Sequence, residues 1–175
     1  MSDDVKFWRY YLREPGDGYT GWAEVVLGSN GFFATVSDYG NYAFGWRHHG
    51  MADFRQFWLR KSPSYVCSKL GKNDHYEAER TEADIKELID AYERDKTWDE
   101  ERVQEERDLL QSLSDNEITI DDWMRDTEIG DAWEIPVYDY PPGLQGFVKN
   151  ILPLLAEAVR VDLEAEGLMP ATQPR

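Results

Sequence analysis

The chain has one cysteine, Cys67, and three histidines among its 175 residues. A single cysteine excludes an internal disulfide and a cysteine-rich zinc site, and it implies a reducing, intracellular setting. No apolar run approaches the roughly 18–20 residues of a membrane span. The first twenty residues alternate charges with aromatics, unlike a secretory leader. Basic residues are scarce, with 19 Lys and Arg against 35 Asp and Glu, so the net charge is −16. That balance argues against a protein that grips a phosphate backbone across its whole surface. Catalytic signatures are also missing: there is no Gly-x-Ser-x-Gly, no phosphate loop ending in Lys-Ser/Thr, no His-Glu-x-x-His and no calcium loop.

What remains is unevenly distributed. Residues 1–71 carry seven acids and eight bases, whereas residues 72–175 carry 28 acids and 11 bases. Sixteen of the 24 aromatics lie in the first 71 residues. The length fits one domain. The pattern predicts a single α+β domain over 1–175, an N-terminal antiparallel β-meander of about four strands packed against five or six helices. Its parts are the meander (1–50), aromatic helices (51–71), an acidic helical region (72–140) and a C-terminal helix (141–167), with the break near Lys72–Asp74 read as a loop.

Alternation along Val5–Arg13 places Trp8, Tyr10 and Leu12 on one face and Phe7, Arg9, Tyr11 and Arg13 on the other. Glu14 to Gly18 is turn chemistry, and Tyr19–Leu27 is β-rich. Asn30-Gly31 is the preferred pair of a two-residue hairpin, in which both positions need positive φ. Phe32–Ser37 and Tyr42–Arg47 complete the meander across a turn at Asp38–Asn41. Asp53 caps a helix bearing Phe54, Phe57 and Trp58, and Ser62-Pro63 starts another that stops at Gly71. Thr81 with Asp84, and Thr97 with Glu100, resemble capping boxes ahead of apolar stripes. A short helix spans Ile120–Asp126, and Ile135–Tyr140 is extended. The last helix runs from about Leu144 to Glu166, kinked by Pro153 and stopped by Gly167. Met169–Arg175 reads as a frayed tail.

Gly16-Asp17-Gly18-Tyr19-Thr20-Gly21 matches the dinucleotide fingerprint in letters only. The mechanism needs a helix immediately afterwards, and Trp22–Leu27 reads as a strand. His48, His49, Cys67, Asp74 and His75 are the available soft-metal ligands, and their spacing fits no zinc pattern. No metal and no cofactor is therefore expected. A pocket beside the sheet holding His48, His49, Asp53 and Cys67 is the enzymatic alternative, a small hydrolase or nucleotide-modifying enzyme.

The acidic stretch is the most informative feature. Residues 74–139 hold 24 acids and seven bases. Like charges four apart on a helix destabilise it by ~0.2–0.5 kcal/mol each. The bland reading is a solvated face that keeps the protein soluble. The functional reading is an electronegative docking face built by Asp99, Glu100, Glu101, Glu105, Glu106, Asp121 and Asp122, steering a basic partner and weakened by salt. The aromatics give a second surface candidate. If Trp8, Tyr10, Val25, Phe32, Phe44 and Trp46 face the helices, then Phe7, Tyr11, Trp22 and Phe33 face outward with Arg9 and Arg13 among them, a composition typical of interface anchors and suited to a homodimer.

Ser37-Asp38-Tyr39-Gly40-Asn41-Tyr42-Ala43-Phe44 through Trp46, then Asp53-Phe54-Arg55 and Phe57, resemble segments of small accessory proteins of tailed phages and prophages. Ile129-Gly130-Asp131-Ala132 and the Pro-Gly-Leu helix start fit the same resemblance. It implies a phage context in a class that includes inhibitors of host defence, some of them acidic mimics of nucleic acid. It transfers no functional residue. The expectation is a non-enzymatic phage protein in the bacterial cytoplasm that binds a bacterial protein with a basic surface, with no direct contact to nucleic acid or membrane.

Overall fold

The computed structural model describes residues 4–16 and 21–169. The fold is α+β, with an N-terminal four-stranded antiparallel sheet followed by helices. The chain divides into two compact units: residues 4–73 with 140–169, and Asp74–Asp139. The second is an insertion in the first, and its ends coincide with the ends of the acidic stretch. All of the net negative charge of the chain therefore belongs to one unit. It carries 24 acids and seven bases, while the rest of the sequence carries 11 acids and 12 bases.

In the first unit, strands β1 (Phe7–Arg13), β2 (Trp22–Gly28), β3 (Phe32–Ser37) and β4 (Tyr42–Gly45) form a meander in sequence order. Trp22–Gly28 is a strand, so the helix a dinucleotide fingerprint requires is not there. Residues 17–20 of that motif, and 170–175 of the C-terminal tail, lie outside the described residues. The inward face carries Tyr10, Leu12, Ala23, Val25, Leu27 and Phe33, all buried. Against it pack α1 (Arg55–Trp58), α2 (Pro63–Leu70), α6 (Pro142–Gly146) and α7 (Leu152–Ala165). Phe33 touches Trp46, Trp58 and Phe147, and these rings form the centre of the core.

One expected face is corrected by the turn between β2 and β3. Only Gly31 has positive φ, at 85°, and the Gly31 amide donates to the Gly28 carbonyl at 2.9 Å. The connection is thus a three-residue loop, not the two-residue Asn30-Gly31 turn. Leu27 consequently pairs with Phe33. A two-residue loop would pair Leu27 with Ala34 and turn Phe32 inward. One residue of slip exchanges the faces of a strand, so Phe33 is fully buried while Phe32 is 39% exposed. A side chain at Gly31 would run into the Trp46 carbonyl, which fixes glycine there.

The C-terminal helical segment starts two residues earlier than its sequence suggests, at Pro142. A π turn, Phe147–Ile151, joins α6 to α7 just before Pro153. Proline has no amide to donate, and a wide turn absorbs the missing bond and the ring. Gly167, at φ 70°, ends α7 with its amide on Glu164 and that of Leu168 on Leu163, a Schellman stop.

In the second unit, short strands β5 (His75–Tyr76) and β6 (Tyr138–Asp139) pair antiparallel where the insertion begins and ends. Between them lie α3 (Ala78–Arg94), α4 (Glu100–Ser114), α5 (Ile120–Asp126) and a single 3-10 turn at Ala132–Glu134. Ile85, Ile89, Val103, Leu113, Trp123 and Ile129 form a core of their own. This core is separate from the cluster that the sheet residues join.

Three expected caps shift. Phe54, not Asp53, holds the cap position of α1, although Asp53 still accepts from the Arg55 amide. Thr81 is inside α3 and buried, and its hydroxyl accepts from the Val137 amide at 2.9 Å. Asp99, not Thr97, caps α4, accepting from the Arg102 amide at 2.9 Å. Thr119 and Asp122 form a reciprocal capping box on α5 that the sequence reading did not single out.

Candidate functional site

The acidic unit holds the first candidate surface. Asp99, Glu100 and Glu101 open α4, where acids are favoured by the positive end of the helix. All three are exposed, and none makes an ion pair among the described residues. Asp99 and Glu100 line a hollow of ≈ 710 Å³ with Glu93, Lys96 and Trp98. Trp98 stacks on Tyr92 at 4.2 Å. A groove of ≈ 520 Å³ between α3 and α4 is lined by Glu79, Glu82, Asp90, Lys86 and Arg107. Asp121 is exposed on α5.

Other expected members of the face do structural work instead. Glu106 is 1% exposed and cannot meet a partner. Its carboxylate accepts from Arg102 Nη2 at 2.6 Å, Thr127 Oγ1 at 2.7 Å and the Glu128 amide at 2.9 Å. That ties α4 to the segment following α5. Glu105 is exposed but paired with Arg102 at 2.9 Å. Asp122 is held down to a pKa of about 2 by the Thr119 hydroxyl and amide, with Arg125 adding to the effect. Arg107 bridges Asp90 and Glu93 and sits above its ordinary value because of them.

Local pairing leaves most of the field intact. Arg80, Arg102, Arg107 and Arg125 are matched with nearby carboxylates. Since acids outnumber bases 24 to seven in this unit, pairing every base still leaves −17. The charge that survives is concentrated on exposed helical positions, with Asp99, Glu100, Glu101 and Asp121 its unpaired members from the expected set.

The residues of the enzymatic alternative lie on separate segments of the first unit. His48 and His49 follow β4 in a loop. His49 Nδ1 accepts from the Met51 amide at 3.2 Å, and its ring packs on Phe54. Asp53 is engaged by Arg55 through its backbone amide and its guanidinium, at 2.8 Å each. Cys67 is buried in the core on α2. Among the described residues, no group of three or more His, Cys, Asp and Glu side chains is placed to hold a metal ion.

The second candidate surface is the outer face of the sheet. Phe7, Tyr11 and Phe32 are exposed there, and Trp22 is half-buried. Phe33 is removed from this set by the hairpin register. Arg9 is paired with Glu24 at 2.8 Å, and Arg13 is exposed at the end of β1.

Residues 3–161 match the model of a phage family, Phage_phiTE_072. The chain belongs to this phage family. No curated protein and no solved structure matches it. The matched span takes in β1, the whole acidic unit and most of α7. It is thus a phage protein in which a charge-neutral sheet unit carries an acidic helical insertion. No helix among the described residues is long and apolar enough to cross a membrane.

Two residues that organise this phage protein gave little signal in its sequence. Arg55 is fully buried between Asp53 and Glu166, with Trp8 beneath its guanidinium at 4.5 Å. Nothing in a lone Asp-Phe-Arg marks a partner 111 residues away. Tyr39 donates to Glu14 and accepts from Asn150 at 2.8 Å. Its ring and backbone lie against Gly21, Gly143 and Gly146, where any side chain would overlap it.

Proposed function

We propose that this phage protein binds a bacterial protein with a basic surface through its acidic unit, and so inhibits a host defence or nucleic-acid-binding system. The supporting observation is the segregation of charge: −17 in a unit of 66 residues, against +1 in the rest of the chain. A uniformly acidic coat would serve solubility equally well without such segregation. A concentrated field raises the local concentration of a basic partner and accelerates encounter. The face centres on Asp99, Glu100 and Glu101, with Asp121 as a further member. Glu105 and Asp122 contribute charge through paired carboxylates, and Glu106 holds the helices that carry the others.

The test is capture from a host lysate at low and moderate salt, followed by purification of the retained protein. Its association with the wild type and with a Glu100→Lys/Glu101→Lys variant is then timed across ionic strength. The variant should associate about tenfold more slowly at low salt, the difference shrinking as salt screens the field. Double-stranded DNA should compete for the partner. Equal rates for the two proteins, or no salt dependence, would remove the docking role. Asp53 is committed to Arg55 and His49 to its own loop, which weighs against the hydrolase reading.

A further inference from the structure

We infer that the solvent-facing side of the β1–β4 sheet is a self-association surface on which a second copy of this chain docks face to face. Alternation sends Phe7, Tyr11, Phe32 and Val36 away from the core, at 58%, 65%, 39% and 53% exposure. Tyr11 stacks on Trp22 at 6.0 Å, and Phe7 meets Phe32 edge-on at 6.3 Å. Large rings rarely gather on a face that remains in water.

Charge selects the occupant. The interior of the face holds one ion pair, Arg9 with Glu24, closed at 2.8 Å. A closed pair can be covered without stranding a charge. It is also self-complementary. A two-fold axis lying in the interface, passing between the two side chains, sets Arg9 of each copy over Glu24 of the other and preserves that charge match. Single-stranded nucleic acid is a poorer match. It needs open ring faces and a track of free cations, whereas here Tyr11 and Trp22 are already stacked on each other, Arg9 is taken and Arg13, at the edge of the face, is left as a lone cation.

Size sets the strength. Four strands ~4.8 Å apart, of seven, seven, six and four residues, span roughly 20 by 20 Å, or some 400 Å² per copy. Two such faces fall near the lower limit of specific interfaces, below about 1,200 Å² in total. The dimer is therefore weak and reversible. Its salt dependence has a definite sign. Each copy carries −16, so the copies repel at low salt. Screening shortens the range of that repulsion from ~10 Å at 0.1 M to ~3 Å at 1 M. Salt tightens this contact, opposite to its effect on docking by the acidic unit, so the two ideas fail separately.

The test is sedimentation equilibrium of the full chain from micromolar to near-millimolar concentration at low and high salt. Wild type, Tyr11→Asp, Phe32→Asp and Glu100→Lys/Glu101→Lys are compared after circular dichroism confirms folding. Wild type should dimerise with rising concentration and more tightly at high salt. Each sheet-face variant should weaken the dimer about tenfold or more, and the acidic-unit variant should retain it. A wild type that stays monomeric throughout overturns the inference. So does a dimer indifferent to Tyr11→Asp and Phe32→Asp, or one lost in the Glu100→Lys/Glu101→Lys variant. Anisotropy of a labelled single-stranded oligonucleotide is read in parallel. Binding abolished by Tyr11→Asp would assign the face to nucleic acid instead.

Discussion

Arg55 shows how much a single buried charge can organise. Its guanidinium reaches Glu166 Oε1 and Oε2 at 2.9 and 2.7 Å and Asp53 at 2.8 Å, joining the start of α1 to the end of α7. Burial alone would raise the Asp53 carboxyl, but the hydrogen bonds and charge of Arg55 outweigh it and hold the group below its ordinary value. Glu166 is lowered by the hydrogen bonds it accepts from the Arg55 guanidinium. A depressed carboxyl stabilises the fold fully above its unfolded pKa of about 4, and that contribution fades as pH falls through the lowered value. Arg55→Met should cost about 3–5 kcal/mol at neutral pH, since it strands Asp53 in a largely buried site. It should also flatten the loss of stability between about pH 5 and pH 2. Urea unfolding across that range measures both. Glu106 is the counterpart in the acidic unit. Glu106→Ala should destabilise by about 2–4 kcal/mol, leaving Arg102 Nη2, the Thr127 hydroxyl and the Glu128 amide without their acceptor. Glu105→Ala, on an exposed carboxylate, should change stability by less than ~1 kcal/mol. Thermal melts of the pair separate a structural carboxylate from a surface one.

At the scale of elements, the β2–β3 hairpin decides which rings enter the core. Gly31 adopts φ 85° under the Trp46 carbonyl, and its own carbonyl accepts from the Trp46 amide at 2.8 Å. Gly31→Ala combines left-handed backbone strain with a collision and should cost ~2 kcal/mol or more. Its near-ultraviolet circular dichroism should weaken as the contacts of Phe33 with Trp46 and Trp58 loosen. Unchanged stability and spectrum would mean that the loop tolerates another conformation. The helices follow a similar logic. Asp99 and Thr119 cap α4 and α5 because their side chains reach amides three residues on. The π turn before Pro153 shows a proline accommodated by local widening of the helix.

The whole molecule separates charge from sheet. The acidic unit repels itself, as its seven bases cannot neutralise 24 acids. Added sodium chloride should therefore raise the melting temperature of the signal arising from the acidic helices. Scanning calorimetry at several salt concentrations checks this. A melting temperature that falls with salt would show that attractive pairs, such as Arg107 with Asp90 and Glu93, outweigh the repulsion. The same field is the driving force proposed for partner docking, and a neutral sheet face is the one proposed for self-association.

The linear sequence determined the α+β class, the four-stranded meander, the Ser62-Pro63 and Ile120 helix starts, and the limits of the acidic stretch. These are local quantities: side-chain alternation, cap chemistry and charge density are written in neighbouring residues. Tertiary structure decided which carboxylates are free. Glu101 and Glu106 look alike in sequence, yet one is exposed on the first turn of α4 and the other is sealed beneath Arg102 and Thr127. It also decided that Phe33 goes inward, because a loop one residue longer shifts the register, and that Arg55 meets Glu166. Burial and pairing depend on contacts made across the fold, so no window of sequence contains them.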